Sequence, residues 1–165
     1  MSGSSAAIEL SYLVLGVGNV LRGDDGIGCY VATRLAGLVA EAGDTRLRIQ
    51  SIDCGLTPEN YTGVLRRARP DTLVLVDAAE MGLAVGEIRT VSPERAGSIG
   101  MSTHSMPLSL FVSYVQGLCN KIVIVGIQPG HMGLSNEMSQ DVRSAGDSLA
   151  QLLLEGRLDR LQPLD

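Results

Sequence analysis

Two adjacent carboxylates stand where the first turn between a strand and a helix is expected. The segment LGVGNVLRGDDGIG, residues 15–28, begins as a dinucleotide-binding turn does, with Gly16 and Gly18, and then places Asp24 and Asp25 near the start of the helix. A phosphate would need backbone N–H groups there, and a carboxylate repels it. The third glycine of the GxGxxG pattern is also missing. Nucleotide binding is therefore disfavoured.

Another carboxylate and both histidines of the chain lie near the ends of other predicted elements. Asp77 ends an apolar strand, His104 lies in a loop before a helix, and His131 follows a later strand. Two carboxylates and one imidazole suit a borderline divalent metal with open coordination positions, and Asp24, Asp25 and Asp77 together with His104 offer donors of these types. Each also has an ordinary explanation as a helix cap, a turn residue or a loop histidine bonded to backbone. The residue types leave both interpretations open.

The composition suits one globular domain and disfavours several classes of protein. The chain has 165 residues, of which 45% are hydrophobic, and a net charge of −5 without a basic cluster, which argues against nucleic-acid binding. No apolar run is long enough for a transmembrane helix, and the first residues do not form a secretion signal. Three cysteines without a CxxC pair indicate reduced thiols in the cytoplasm. The HExxH and GxSxG motifs are absent from the sequence.

Apolar strands alternate with amphipathic helices along the chain, which predicts an α/β domain with a mostly parallel sheet and helices on both faces. Ligands bind such sheets at the carboxyl ends of the strands. The predicted strands span 12–18, 46–53, 72–77, 86–91 and 121–127. The predicted helices start near Asp24, Thr57 and Pro107 and after the loop 128–136, with a loop over 93–104. Asp24 and Thr57 are expected to be helix N-caps.

Four segments resemble, in order and spacing, the nickel–iron hydrogenase maturation endopeptidases. They are LVLGVGNVLRGDDGIG, LVLVDAAEMG, MSTHSMPLSLF and IVGIQP. The last two are most similar to the branch that processes the formate-hydrogenlyase type of hydrogenase. The resemblance implies a three-layer sandwich around a five-stranded, mostly parallel sheet. It also implies a domain over 12–156, after a lead-in at 1–11 and before a tail at 157–165.

Carried over position by position, the resemblance implies that Asp25, Asp77 and His104 are both the catalytic residues and the metal contacts of an aspartyl-type peptidase. The metal would be nickel that the substrate supplies, and other divalent metals could take its place in crystals. The resemblance gives His131 no role. In the mechanism, either the metal activates the carbonyl or water, or a carboxylate acts as general base.

The implied partner is the large-subunit precursor of a hydrogenase, from which the enzyme would remove a C-terminal extension. The alternative is a checkpoint or chaperone that binds the same nickel-loaded precursor without cleaving it. We expect a cytoplasmic monomer that does not bind nucleic acid and does not insert into a membrane. Because nickel would arrive with the substrate, we also expect the protein alone to bind the metal weakly.

Overall fold

A computed structural model describes residues 10–43, 47–103 and 105–165 of the chain. The described strands form one five-stranded sheet in the order β2-β1-β3-β5-β4. Strand β4 runs antiparallel to β5, and the other neighbours are parallel. This confirms the predicted sheet. The strands are β1 (Leu10–Gly16), β2 (Leu47–Asp53), β3 (Thr72–Ala78), β4 (Ile88–Val91) and β5 (Lys121–Ile127).

The described residues also contain five α-helices, none of them both long and apolar enough to cross a membrane. Short 3-10 turns precede two of them, at Gly23–Gly26 and Pro58–Tyr61. Thr57 occupies the N-cap position of the second turn, but its side chain caps no backbone N–H group, contrary to the prediction. The helices are α1 (Ile27–Ala42), α2 (Thr62–Ala68), α3 (Pro93–Ser98), α4 (Leu108–Val115) and α5 (Gln140–Leu154).

The short helix α3 lies in the segment 93–104, for which the sequence predicted a loop. The Ser92 hydroxyl accepts a hydrogen bond from the N–H group of Arg95, and Pro93 occupies the first turn. Both features favour a helix start. The prediction was wrong because this helix has six residues and a single fully buried side chain, Ala96, so it shows no hydrophobic period.

Alternate side chains of the central strands supply two separate hydrophobic cores. In β3, Leu73 and Leu75 pack under α2, α3 and α4, while Val74 and Val76 pack under α1 and α5. All four are fully buried. Because helices cover both faces, the central strands are apolar throughout, as buried parallel strands are. The predicted three-layer arrangement is confirmed.

The last residues of the chain lie along the outer edge of β4. The N–H group of Thr90 donates to the carbonyl of Gln162, and Leu164 donates to the carbonyl of Thr90, at 2.9 and 2.8 Å. These bonds use backbone groups that an edge strand would otherwise leave open to another chain.

Helix α1 approaches the ends of β1 and β3 closely because two glycines face each other. A Cβ atom on Gly28 would lie 2.2 Å from the carbonyl oxygen of Val17 and 2.3 Å from that of Val76. A Cβ atom on Gly16 would lie 2.1 Å from the carbonyl oxygen of Gly28. Neither position has room for a side chain. The turn between β1 and α1 can therefore lie close to the carboxyl edge of the sheet.

We expect Gly28→Ala to lower the free energy of unfolding by about 1–3 kcal/mol or more, because the new methyl group meets backbone atoms that must shift. Gly37→Ala is the matched control, since it lies on the same helix and its Cβ would meet nothing within 4 Å. It should raise stability by about 0.5–1 kcal/mol. Urea denaturation measures both, and equal effects of the two variants would contradict this account of the α1 packing.

Candidate active site

Asp25 and Asp77 lie together at the carboxyl edge of the sheet, near the ends of β1 and β3. Asp77 is the second-last residue of β3 and is 6% exposed, whereas Asp25 is half-buried in the 3-10 turn that follows β1. They are close enough for the charge of Asp25 to act on Asp77. The structure thus brings together two of the three predicted site residues. The third, His104, lies outside the described residues.

Burial changes the protonation of both carboxyl groups. Burial first, and then the negative charge of Asp25, raise the pKa of Asp77 well above its usual range, although the N–H group of Ala78 opposes this. Burial also raises the pKa of Asp25, against the opposing influence of the Arg22 cation and the Asn19 N–H group. Two buried like charges favour the neutral form of one of them, and a cation between them would reverse that preference.

Within the described part of the chain, no three His, Cys, Asp or Glu side chains are grouped as ligands for a metal ion. Asp25 and Asp77 therefore offer two carboxylates, and any further ligand must come from elsewhere.

Five backbone N–H groups of the turn between β1 and α1 donate to carbonyl groups within the protein. This turn therefore has little to offer a phosphate, in agreement with the argument from charge against nucleotide binding. The glycines of the opening motif, among them Gly16 and Gly28, allow neighbouring segments of the chain to pack closely. The N···O distances are 2.7–3.2 Å for Val17 to Val76, Gly18 to Gly55, Asn19 to Asp25, Gly23 to Ser135 and Asp24 to His131.

Asp24 is not the helix cap that the sequence predicted. The N-cap positions of the 3-10 turn and of α1 are occupied by Arg22 and Gly26, and neither makes a side-chain cap bond. The 3-10 turn places Asp24 inside the protein, where it is 0% exposed. Its side chain faces the loop after β5 instead of the first turn of its own helix.

The Asp24 carboxylate accepts four hydrogen bonds from that loop and from the start of α5. Oδ2 accepts the N–H groups of Gly130 and His131 at 2.8 Å each and the hydroxyl of Ser139 at 2.6 Å. Oδ1 accepts the N–H group of Ser139 at 2.6 Å. Burial alone would raise the pKa of Asp24, but these bonds outweigh it and hold that pKa below its usual value.

His131, to which the resemblance gives no role, contributes its backbone to this arrangement. Its N–H group donates to the Asp24 carboxylate and its carbonyl accepts the N–H group of Asp24. Its side chain is exposed. The contact that fixes this loop is therefore made by the main chain and does not require an imidazole.

Gln128 is a buried polar residue that the sequence analysis did not single out. It is 3% exposed and follows β5 directly. Its Oε1 accepts the N–H groups of Met81 and Leu83 at 2.8 and 3.2 Å, and its Nε2 donates to Glu80 at 2.8 Å. These bonds fix the loop that leaves the end of β3, just beyond Asp77. The segment GIQP contains Gln128 and was the signal that could have identified it.

Exposed apolar side chains lie on two loops that are joined at the 3-10 turn containing Asp25. Leu21 is 61% exposed and Leu134 is 90% exposed. Their loops are joined because Gly23 donates to the carbonyl of Ser135 and Ser135 donates to that of Leu21. Val20 and Met132, on the same loops, are also exposed. A protein substrate could contact this surface, whereas a small polar molecule would leave it in water.

We expect Asp24→Asn to lower the free energy of unfolding by roughly 2–4 kcal/mol at neutral pH, because its NH2 group would face N–H donors. The pKa of Asp24 is lowered by folding, so its stabilisation is present above the usual carboxyl pKa and is lost as the pH falls through the lowered value. Urea denaturation should therefore show a smaller difference from wild type in acid. Asp159→Asn, an exposed carboxylate, is the control. A constant difference at every pH would contradict this.

Asp77→Asn should have the opposite effect and raise the midpoint of thermal unfolding at neutral pH. The pKa of Asp77 is raised by folding, so its favourable contribution is present below the usual carboxyl pKa and is lost as the pH rises through the raised value. The gain from Asp77→Asn should accordingly be small near pH 4 and larger near pH 8. A variant less stable than wild type at pH 8 would show that the buried carboxylate stabilises the fold.

Several known proteins that resemble this chain are named as hydrogenase maturation proteases. A sequence profile described as hydrogenase maturation protease, HycI, matches residues 29–156. The Hydrogenase 3 maturation protease of Escherichia coli is 36% identical over 142 residues, which cover 86% of this chain and 87% of that protein. The residues that the profile matches include β3, which carries Asp77, and the loop that follows it.

Solved structures agree with this similarity. The solution structure of the endopeptidase HycI from Escherichia coli has a TM-score of 0.80 and 32% identity, with 94% of this chain and 97% of that chain covered. The [NiFe] hydrogenase maturation protease HycI from Thermococcus kodakarensis has a TM-score of 0.77 and 35% identity, with 89% and 92% covered. Profile, sequence and structure agree, and the chain belongs to the hydrogenase maturation protease family.

Proposed function

We propose that this protein is a cytoplasmic endopeptidase that removes the C-terminal extension from the nickel-loaded large-subunit precursor of a nickel–iron hydrogenase. The observation that carries the proposal is the pair of a buried Asp77 and a half-buried Asp25 at the carboxyl edge of the sheet, where the charge of one acts on the other. Family membership supplies the peptidase activity. The pair supplies a reason why a metal should be involved.

The pair favours a cation that arrives with ligands of its own. Burial and the charge of Asp25 raise the pKa of Asp77, so a cation that binds both carboxylates competes with a proton at Asp77. Two carboxylates also leave most of the coordination positions of nickel open. A nickel ion already held by the precursor would meet these conditions, and Asp25, Asp77 and His104 would complete its coordination.

The two carboxylates differ in depth, and this suggests different tasks. Asp77 is nearly inaccessible and would contact the metal from inside, whereas the half-buried Asp25 also reaches solvent. Nickel can polarise the carbonyl of the scissile peptide or lower the pKa of a bound water. Asp25 could accept the proton of that water as it adds to the carbonyl carbon. The proton then passes to the leaving amine, which completes hydrolysis.

The surroundings of Asp25 suit a protein substrate. The exposed side chains of Leu21 and Leu134 lie on the two joined loops beside it, and Leu134 is 90% exposed. An exposed apolar surface next to the acidic pair offers contacts to a polypeptide as well as to its metal. Selective cleavage would then require both the polypeptide of the precursor and the nickel that the precursor carries.

Intact-mass spectrometry of the precursor tests the proposal directly. We expect wild-type protein to release a C-terminal peptide from nickel-loaded precursor and to leave nickel-free precursor unchanged. Asp25→Asn should slow the release about 100-fold or more, because it removes both a metal contact and a proton acceptor. Asp159→Asn, the same change at an exposed carboxylate, should cleave as wild type does.

Two results would contradict the proposal in different ways. Equal cleavage of nickel-free and nickel-loaded precursor would remove the role of the metal. A stable complex with unchanged precursor mass would identify the protein as a checkpoint or chaperone for the same partner. In that case Asp25 and Asp77 would remain as contacts and not as catalytic residues.

A further inference from the structure

Arg22 is a cation held in a fixed position beside the acidic pair. It directly precedes the 3-10 turn that contains Asp25, and its charge acts on the Asp25 carboxylate. Its Nε atom donates to the carbonyl of Met132 at 3.2 Å. Its backbone N–H group donates to the carbonyl of Asn19, and its carbonyl accepts the N–H group of Asp25, both at 3.1 Å. The guanidinium group therefore has a defined place at the edge of the site.

Most of the hydrogen-bonding capacity of Arg22 is not used within the described part of the chain. A guanidinium group carries several N–H donors, and the bond to Met132 is the one that this side chain makes to a described residue. Arg22 forms a salt bridge with none of the described carboxylates, and its side chain is exposed. Its outer N–H groups can therefore bind a carboxylate of another molecule, whose two oxygens match two parallel donors.

Apolar side chains surround this cation. Val20 and Leu21 precede it in the chain, and Leu134 lies on the loop that contains Met132. All of these side chains are exposed, and hydrogen bonds between Ser135 and the segment around Leu21 join the two loops. An arginine among apolar side chains is typical of the residues that contribute most to a contact between proteins.

The charges at this edge of the sheet restrict where an acidic partner residue can bind. Asp53 and Asp77 lie at the ends of β2 and β3, and Asp25 lies in the turn after β1. Aspartates at the ends of three neighbouring strands repel an acidic side chain of a partner, whereas Arg22 attracts it. A cation in such surroundings selects for one position of the acidic residue, because the alternatives are unfavourable.

We propose that Arg22 is a specificity-determining residue that binds an acidic side chain of the precursor close to the peptide bond that is cut. The carboxylate of that side chain accepts N–H groups of the guanidinium, and apolar residues on either side of it contact Leu21 and Leu134. The inference rests on the proposed function, because it names the precursor as the partner. It concerns the binding of the precursor and not the chemical step.

The affinity of nickel-loaded precursor for Arg22→Gln and Arg22→Glu tests this contact. Both replacements remove the guanidinium, and they have the same size and differ in charge. We expect Arg22→Gln to raise the Kd about fivefold and Arg22→Glu to raise it by about a further fivefold, because a like charge then faces the acidic residue. A carboxylate added beside Asp25 attracts nickel, so the metal cannot explain weaker binding. Arg66→Glu, at an exposed arginine on α2, should bind as wild type does.

Charge reversal in the precursor identifies the acidic residue. Each Asp and Glu beside the cleaved bond is changed to Lys in turn, and one such precursor should bind Arg22→Glu more tightly than it binds wild-type protein. Equal Kd values for Arg22→Gln and Arg22→Glu, or the lack of a restoring reversal, would overturn the inference. A lower kcat with unchanged KM in Arg22→Gln would also overturn it, since Arg22 would then act in the chemical step.

The binding measurements are separate from cleavage. If wild-type protein binds the precursor and leaves its mass unchanged, the proposed peptidase function fails, while the comparison of Kd values still decides the role of Arg22. If wild-type protein cleaves the precursor and the Arg22 variants bind it equally well, only the role of Arg22 fails.

Discussion

The buried carboxylate of Asp24 joins the segments that build the carboxyl edge of the sheet. It accepts bonds from the loop after β5 and from both donors of Ser139, where α5 begins. Because Asp24 itself belongs to the turn between β1 and α1, these bonds fix the turn relative to a segment more than 100 residues away. Because Asp25 is the next residue in the same turn, the hydrogen bonds of Asp24 also hold Asp25 in position.

Asp24 and Asp77 illustrate how surroundings decide the charge of a buried carboxylate. Asp24 is completely buried, yet four donors hold its pKa below the usual value. Asp77 is almost as deeply buried but receives less compensation, and Asp25 adds a like charge, so its pKa is raised. The first carboxylate stabilises the fold as an anion, while the second is best stabilised when a proton or a cation arrives.

The sequence predicted those features that depend on local pattern. Strands β3 and β5 were placed within one residue of their observed bounds because they are continuous apolar runs. Asp24 was assigned the wrong task because its donors lie 106 to 115 residues along the chain, where no local period can reveal them. Gln128 escaped notice for the same reason, since its partners near Met81 are 45 to 48 residues away.

The opening motif shows why similar glycines need not imply a similar ligand. In a dinucleotide-binding turn, glycines admit a phosphate to free N–H groups. Here Gly16 and Gly28 allow two backbone segments to approach each other closely, and the N–H groups of Gly18, Gly23 and Asp24 donate to carbonyl groups of the chain. In dinucleotide-binding turns, such a close approach makes room for a phosphate. In this protein it places the turn that carries Asp25 near the end of β3. The same glycines that resemble a phosphate-binding turn therefore bring together two chain segments, and the ligand they suggest is decided by the neighbouring carboxylates and not by the glycines.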